Sequence, residues 1–468
     1  MEKNDLIKKI NSDDSAKIFN ELYGENEVKK IRRRYANLIE EMQNDNFPKA
    51  ELCNTEGDLR VFSASGRTEL AGNHTDHNRG KVIATSIQLD SIAIVQKRND
   101  NIVFFRSTGF PDVKVNLTDS AGNHDLQSKP EEAGKTEALV RGIAAELNRR
   151  GRRIGGFTAN VDSTVLPGSG LSSSAAVEVL IGKIFDSLYS MNIKYDYNYD
   201  EDGDKLEALS PLELAQIGQI AENVYFGKPC GLMDQTACAT GGAVAIDFAD
   251  TANPVVKQIN FDLEKAGYAL CVVNTGGSHA DLTDDYASIP AEMKKIAAYF
   301  GKSVLRELEK ETVLKHSAEL RKVAGDRALL RSLHFFDENI RVDAITTALQ
   351  KIETAATGES KQEAMQLYLD LINESGDSSW ELLQNVYTTR NPESQGITTA
   401  LALTRDFFSK NKYHGACRVH GGGFAGTIQT YIPLNAINAY RACMEPVFGT
   451  GSVTELRIRP KGAIELFF

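Results

Sequence analysis

A run of small and hydroxyl-bearing residues at positions 166–176, LPGSGLSSSAA, could bind an anion. Gly168 and Gly170 can adopt positive φ angles and let a ligand approach the main chain closely. The three serines that follow would open a helix, whose unpaired first-turn amide groups and positive dipole end attract negative charge. Nucleotide phosphates with their metal suit such a site. A serine-capped connection between a strand and a helix has the same pattern, so the run alone leaves both interpretations open.

The elements on either side of this run determine where its serines would lie. Residues 156–165, GFTANVDSTV, alternate apolar and polar side chains, as a half-buried strand does. Downstream, apolar residues recur at helical spacing from Val177 to Leu188, which predicts a helix that begins near Ser172. The order of strand, glycine-rich turn and helix therefore places the serine hydroxyls at a helix N-terminus.

A second polar cluster follows a strand predicted at residues 59–64. Its density of charged and hydrogen-bonding side chains is typical of a binding site, and sugar binding is the favoured interpretation. For any one of these residues, a solvated and hydrogen-bonded turn is the alternative. A zinc site is disfavoured because HTDH lacks the i, i+4 helical spacing of the common zinc motif. The cluster comprises Arg67, Glu69, Asn73, His74, Asp76 and His77.

Two acidic residues further along the chain are also candidates. A helix is predicted from Ser210, which forms a capping-box pattern, to Gly227, and this helix carries Glu222. Asp234 lies among small and apolar residues within 230–242, CGLMDQTACATGG, where a carboxylate needs a partner. It is either a structural aspartate or, beside an arginine, a working acid or base.

The C-terminal part of the chain contains a glycine motif at 417–433, CRVHGGGFAGTIQTYIP. Three glycines between two strand-like segments are typical of a tight bend, or of a backbone that closes over the phosphate loop from a second domain. Before this motif, the pattern predicts a strand at 268–274 and helices across most of 290–408.

Composition limits the classes of partner. The 468 residues could form two or three domains, and the net charge of −11 argues against nucleic acid or an anionic membrane surface as a partner. No run approaches the roughly 18 apolar residues of a membrane span, and the first residues form no apolar signal segment, so we expect a cytoplasmic protein. Six scattered cysteines indicate reduced thiols. The acidic stretch 195–204 is interpreted as a solvated insertion.

Three of these stretches together resemble the galactokinase family of the GHMP small-molecule kinases. GRTELAGNHTDHNRG is similar to the family's sugar signature, LPGSGLSSSAAVEV to its ATP loop, and VHGGGFAGTI to its C-terminal glycine motif. The resemblance runs from about Ser15 to near the C-terminus. It implies an α/β (α+β) fold with two GHMP kinase domains, 1–250 and 251–468, and an active site in the cleft between them.

The resemblance also implies a reaction and its residues. The reaction is ATP-dependent phosphorylation of the anomeric hydroxyl of galactose, with ATP and Mg²⁺ as cofactors. By position, Asp234 is the catalytic carboxylate and Arg67 its ionic partner, while Ser174 and Glu222 hold Mg²⁺. Whether Asp234 removes the proton or mainly positions the hydroxyl stays open. The implied sugar contacts are Asn73, His74, Asp76, Gly231 and Tyr286, and the implied phosphate contacts are Gly168, Gly170, Leu171, Ser172, Ser173 and Ser174.

The sequence departs from the pattern of this family at four positions within the similar stretches. Glu69 stands in place of asparagine, Asn73 in place of glutamate, His77 in place of tyrosine and His420 in place of threonine. An amide at Asn73 carries no charge, whereas a glutamate would repel a carboxylate at C6 of a sugar. The sequence therefore predicts relaxed discrimination at C6.

Two other functions remain as alternatives. One is a related kinase that acts on galacturonate or another hexose, and the other is a non-catalytic, galactose-sensing relative. The serine run is intact, and Arg67, Glu222 and Asp234 are all present, which favours catalysis. The sequence makes no prediction about oligomeric state.

Overall fold

The computed structural model describes residues 3–42, 44, 47–165, 170–190, 208–277 and 282–467. Gly168 and the acidic stretch 195–204 lie outside these ranges. The helices are α1 Lys3–Ile10, α2 Asp13–Tyr23, α3 Val28–Met42, α4 Thr136–Arg149, α5 Ser173–Phe185, α6 Pro211–Ile220, α7 Met233–Thr240, α8 Thr283–Tyr299, α9 Lys310–Lys315, α10 Ser317–Val323, α11 Asp326–Thr354, α12 Gly358–Ser378, α13 Gly396–Asn411 and α14 Ile437–Phe448.

The strands form two sheets. The larger sheet has the order β12-β1-β2-β5-β3-β4, with β6 paired to β2 and β7 to β6, and the smaller sheet has the order β11-β8-β10-β9. All the pairs are antiparallel except β3 with β5. The strands are β1 Thr55–Ala71, β2 Lys81–Arg98, β3 Ile102–Ser107, β4 Val113–Asn116, β5 Phe157–Ser163, β6 Ala243–Asp247, β7 Val255–Ile259, β8 Tyr268–Asn274, β9 Ala416–Val419, β10 Thr427–Pro433, β11 Val453–Leu456 and β12 Ile464–Leu466.

Helices cover both faces of the larger sheet. The largest apolar cluster joins this sheet to α4–α7 and continues into α11 and α12. Helices α1–α3 pack on the opposite face, where Phe19 and Tyr35 lie in one cluster with Ile92. The smaller sheet packs against α13 and α14. The result is a mixed α/β structure. No helix in the described ranges is long and apolar enough to cross a membrane.

The C-terminal part of the chain returns to the larger sheet. Strand β12 pairs with β1, where Leu466 lies opposite Val61, and β7 pairs with β6. Both β7 and β12 follow residue 250, so two strands from the range 251–468 extend the sheet formed mainly by the range 1–250. The division of the chain into these two domains stays a prediction.

A buried charge network fastens the N-terminal helices and the C-terminal segment to this sheet. Asp90 on β2 is fully buried, and its carboxylate lies 2.9 Å from the Arg459 guanidinium and 2.5 Å from that of Arg34 on α3. The Tyr23 hydroxyl of α2 donates to the same carboxylate at 2.6 Å. Burial alone would raise the pKa of Asp90, but the two arginines hold it below its ordinary value. Three distant segments thus converge on one carboxylate.

Local sequence signals predicted several elements well. Helix α5 begins at Ser173, one residue from the expected start, and β8 occupies the predicted residues 268–274. Ser210 and Glu213 form the predicted capping box of α6. The strand predicted at 59–64 was too short, because β1 continues through Arg67 to Ala71. It pairs with β2 over that length, so its polar residues are hydrogen-bonded strand residues rather than a loop.

Candidate active site

Arg67 and Asp234 form the ion pair at the centre of the candidate site. The Arg67 Nε and Nη2 groups donate to the two carboxylate oxygens of Asp234, each at 2.8 Å, in a forked geometry that fixes both side chains. The pairing of β1 with β2 shifts register between Ser65 and Arg67, and such irregularities re-aim side chains next to functional sites. Asp234 lies in the first turn of α7.

The same pair is connected to the start of α5. The Ser172 hydroxyl donates to Asp234 Oδ2 at 2.5 Å, and the Arg67 guanidinium donates to the Gly170 carbonyl. The Arg67 amide donates to the Leu171 carbonyl at 3.1 Å. The predicted catalytic pair and the described part of the predicted phosphate loop are therefore in direct contact.

Asp234 is held in its ionised form. Burial would raise its pKa, but the charge of Arg67, the hydrogen bond from Ser172 and the charge of Lys228 lower it below the ordinary value of 3.8. Its side chain is still 35% exposed, so a substrate hydroxyl can reach it. The carboxylate can accept a hydrogen bond at neutral pH.

The start of α5 presents free donors to the same space. Ser172 has φ 60°, and α5 begins at the next residue, so the first-turn amide groups have no intrahelical partner. Ser172, Ser173 and Ser174 are partly exposed. Gly170 has φ 75°, and a Cβ there would lie 2.9 Å from His420 Nδ1, so glycine is needed for both reasons. This arrangement fits an anion.

Beside this helix start lies a buried acidic cluster around Glu222. Glu222 Oε1 accepts hydrogen bonds from the Ser174 hydroxyl at 3.3 Å and from the Lys228 ammonium at 2.9 Å. The Gln235 amide nitrogen bridges Glu222 Oε2, at 3.0 Å, and Glu178 Oε2, at 2.9 Å. The predicted metal ligands Ser174 and Glu222 thus lie together.

The residues of this cluster fit a divalent cation. Glu178 Oε1 and Gln235 Oε1 are buried oxygens without a hydrogen-bond partner, and Ser174 and Glu222 add a hydroxyl and a carboxylate. In the described ranges no three or more His, Cys, Asp and Glu residues form a complete metal site. Mg²⁺ is commonly held by one or two carboxylates together with substrate phosphates, and Glu222 beside the start of α5 supplies such a carboxylate.

Most of the predicted sugar-binding residues meet at one place. A Cβ on Gly231 would lie 2.0 Å from Asp76 Oδ2, so the two segments touch and a larger residue at 231 would displace the Asp76 carboxylate. His74 Nε2 donates to the Gly422 carbonyl at 2.9 Å, and the Tyr286 hydroxyl donates to the Gly423 carbonyl at 3.1 Å. Burial lowers the pKa of His74 to about 4, so this imidazole is neutral at pH 7.

Asn73 differs from the other predicted sugar-binding residues because other protein groups fill every hydrogen-bonding position of its side-chain amide. Its nitrogen donates to the Gly421 carbonyl at 2.8 Å and to Glu69 Oε1 at 3.3 Å. Its oxygen accepts from Asn385 at 2.8 Å and from Ser379 at 3.4 Å. An amide has two donors and an acceptor oxygen with two lone pairs, so all four positions are filled. Sugar reading at C6 by Asn73 stays a prediction, and these four bonds weigh against it.

The glycine motif closes over the phosphate loop rather than forming an isolated bend. His420 hydrogen-bonds with Thr68 Oγ1 at 2.8 Å through Nε2 and with Thr427 Oγ1 at 2.9 Å through Nδ1, and its ring lies against Gly170. Burial lowers the pKa of His420 to about 3, so a neutral ring joins β1 to β10. The contact with Gly170 favours the second interpretation of this motif, and the assignment of the motif to a second domain stays a prediction.

Sequence reasoning missed the side chains that hold these segments together. Arg418 on β9 contacts Glu69 Oε1 at 2.5 Å, and both groups are buried. Glu338 on α11 accepts a hydrogen bond from the Gly72 amide at 3.0 Å. This contact fixes the start of residues 72–80, which we call the sugar loop because they include the predicted sugar contacts Asn73, His74 and Asp76. Gln235 lies within the segment 230–242 and Lys228 lies two residues before it, but neither position gave a further signal. Glu178 follows Ser174 by one helical turn, a spacing that could have revealed it.

The comparisons with known proteins agree with this arrangement. The family described as GHMP kinases N terminal domain matches residues 138–242, and the Galactokinase galactose-binding signature matches 50–97. A protein named galactokinase from Glaesserella parasuis is 30% identical over 404 residues, which are 84% of this chain and 92% of that protein. The chain belongs to the galactokinase family. Members of this family use ATP. The chain is, as its galactokinase relatives indicate, a phosphotransferase with an alcohol group as acceptor.

Two further relatives support the family and its fold. A galactokinase from Streptomyces coelicolor is 29% identical over 402 residues, covering 85% of this chain and 91% of that protein. The crystal structure of Lactococcus lactis galactokinase complexed with galactose matches with a TM-score of 0.68 at 23% identity, covering 87% of this chain and 95% of that one. The prediction of a mixed α/β GHMP kinase fold is confirmed.

The contact between Glu338 and the sugar loop has a consequence for acid stability. Burial alone would raise the pKa of Glu338, but basic and hydrogen-bonding neighbours lower it from 4.5 to about 2. A carboxyl with a depressed pKa stabilises the fold fully above its unfolded pKa and loses that contribution as pH falls toward the folded value. These neighbours are His334, Arg341, Arg418 and Ser375.

We therefore expect the contribution of Glu338 to be lost between about pH 4.5 and pH 2. Since each pKa unit corresponds to about 1.4 kcal/mol, its size at neutral pH is about 3 kcal/mol. Urea unfolding of wild type and Glu338→Gln should give free energies that differ most at pH 6 and converge as pH falls. Glu374→Gln, at an exposed position of α12, is the control. A difference that is constant with pH would contradict the assignment.

Proposed function

We propose that this protein transfers the γ-phosphoryl group of ATP to the anomeric hydroxyl of galactose. The observation that carries the proposal is the position of Asp234: Arg67 and Ser172 hold it at the start of α5, and Gly231 of the same segment touches the sugar loop at Asp76. A base for the hydroxyl, a cradle for phosphate and a set of sugar ligands are thus adjacent. The match to the galactose-binding signature and the names of the relatives support galactose as the acceptor.

The proposed reaction forms one bond and breaks one. The anomeric oxygen attacks the γ-phosphorus, the bond from that phosphorus to the oxygen bridging the β-phosphate breaks, and ADP leaves with the electron pair. Because the pKa of Asp234 lies below its ordinary value, the carboxylate is a weak base that first aligns the hydroxyl through a hydrogen bond. It takes the proton late, when phosphorus–oxygen bond formation has made the hydroxyl acidic. Arg67 keeps the carboxylate charged until then.

The phosphates of ATP would lie against the start of α5. The first-turn amide groups and the hydroxyl of Ser173 are donors for the phosphate oxygens, while the hydroxyl of Ser172 already donates to Asp234. Ser174 and Glu222 would hold Mg²⁺, which supplies positive charge to the β- and γ-phosphates when bound. The neutral His420 ring supports Gly170 from the other side. The predicted cytoplasmic location remains a prediction.

An assay across a panel of sugars tests this function. We expect ATP consumption with galactose, and a product in which nuclear magnetic resonance shows phosphorus coupled to the anomeric position. Galacturonate, glucose and 6-deoxygalactose should be turned over less efficiently, as judged by kcat/KM. A higher kcat/KM with galacturonate or another hexose would mean that this sugar, and not galactose, is the acceptor. Sugar binding without any ATP consumption would instead support the sensor alternative.

The role of Asp234 can be tested by Asp234→Asn. We expect ATP binding to persist and sugar phosphorylation to fall at least about 100-fold, since a positioned acid–base carboxylate contributes about that much or more. Asp112→Asn is a matched control, because Asp112 forms a similarly exposed arginine pair with Arg106 outside the site. Turnover near the wild-type rate in Asp234→Asn would rule out the catalytic assignment.

The proposed metal ligand can be tested separately by Glu222→Gln. We expect this variant to need more Mg²⁺ for half-maximal activity, while sugar binding measured without metal stays close to that of wild type. Glu146→Gln removes another buried carboxylate and is the control, because Glu146 pairs with Arg149 and Arg150 on α4. Equal losses of metal response and metal-free sugar binding would mean that Glu222 is structural.

A further inference from the structure

Lys228 has no role in the mechanism above, yet its charge lies at the edge of the phosphate-binding space. It belongs to the segment between Gly227 and α7, and its Nζ lies 2.9 Å from Glu222 Oε1. The lysine side chain is 61% exposed, whereas that of Glu222 is only 4% exposed. A largely exposed cation is therefore paired with a buried carboxylate.

This ammonium group is close to both reacting partners in the proposed function. The oxygen of Glu222 that it contacts also accepts the Ser174 hydroxyl, which belongs to the first turn of α5. One hydrogen-bond partner thus separates Lys228 from the helix start that would hold phosphate. Its charge also acts on Asp234, six residues further along the chain. Lys228 therefore lies near the metal carboxylate and near the carboxylate that would align the hydroxyl.

The neighbours of Lys228 allow it to leave Glu222. Gln235 holds the other oxygen of Glu222 at 3.0 Å, so the carboxylate keeps its position when the ammonium moves. The lysine side chain is 61% exposed, so solvent can reach the ammonium group when it leaves Glu222. An ammonium group has three donors, and ATP offers it three γ-phosphate oxygens with more negative charge than a single carboxylate. Exchange of one anionic partner for the other is favourable when nucleotide binds.

We propose that Lys228 is a further catalytic residue that contacts the γ-phosphate of ATP and neutralises charge on the transferred group. The proposal rests on the proposed function, because it needs a phosphoryl donor at the start of α5. Phosphoryl transfer depends on positioning and on cations that stabilise the oxygens of the transferred group. Arg67 is committed to Asp234 and Gly170, so it cannot supply that charge. Lys228, whose ammonium lies 2.9 Å from the Glu222 oxygen that also accepts the Ser174 hydroxyl, is placed to supply it.

Nucleotide binding without sugar tests this assignment independently of turnover. Dissociation constants of adenylyl imidodiphosphate, a non-hydrolysable ATP analogue, and of ADP are measured for wild type, Lys228→Met, Lys228→Gln and Lys228→Arg. Lys114→Met is the matched control, since Lys114 pairs at 2.5 Å with Glu51, and the two side chains are 53% and 11% exposed. Measurements with Mg²⁺ and with a chelator separate direct contact from an effect on the metal.

We expect Lys228→Met and Lys228→Gln to weaken the ATP analogue at least about tenfold, because a charged hydrogen bond is lost, and to leave ADP within about twofold of wild type. The loss should persist in chelator, Lys228→Arg should restore part of it, and Lys114→Met should bind both nucleotides normally. Equal weakening of ADP and analogue, no weakening, or a loss only with Mg²⁺ would overturn the proposal. Wild type that binds nucleotide but phosphorylates no sugar would refute the proposed function and leave this test valid.

Discussion

The forked ion pair between Arg67 and Asp234 is the constraint on which the site depends. It joins β1 of the sheet to α7, and the remaining guanidinium nitrogen binds the Gly170 carbonyl of the phosphate loop. Three segments that are far apart in sequence thereby share one rigid planar group. An arginine is required, since only a guanidinium offers two parallel donors to a carboxylate and a further donor to a carbonyl. The position of the Asp234 carboxylate relative to the start of α5 follows from this geometry.

Buried contacts of charged side chains also hold the segment that follows Arg67 in place. The second half of the chain supplies Arg418 to Glu69, and α11 supplies Glu338 to the Gly72 amide. Breaking such a buried pair strands a charge in a medium that solvates it poorly, which costs several kcal/mol. The sugar loop is therefore held from both sides before any ligand arrives. Preorganisation of this kind suits a reaction whose catalysis consists mainly of positioning and electrostatics.

The sequence predicts the features whose signal lies in neighbouring residues, and it does not predict those that depend on distant parts of the chain. The start of α5 follows from the serine run and the apolar period, and the capping box at Ser210 follows from three residues. The length of β1 does not, because its polar half pairs with β2 and is covered by the second half of the chain. The pairing of Arg67 with Asp234 needed the family resemblance, since 167 positions separate the two residues.

The departures from the family pattern at Glu69 and Asn73 amount to one exchange of an amide and a carboxylate between the two positions. The family pattern has an amide first and a carboxylate four positions later, and this chain has the reverse order. The carboxylate at Glu69 pairs with Arg418, while the amide at Asn73 lies 3.3 Å from that carboxylate and binds Gly421 and Asn385. A carboxylate placed at position 73 alone would face Glu69 at hydrogen-bond distance and raise the pKa of one of the two groups. Burial already raises the pKa of Glu69 to about 7, so the pocket accepts one negative charge but not two. The charge states of positions 69 and 73 are thus coupled, and neither residue can be interpreted without the other.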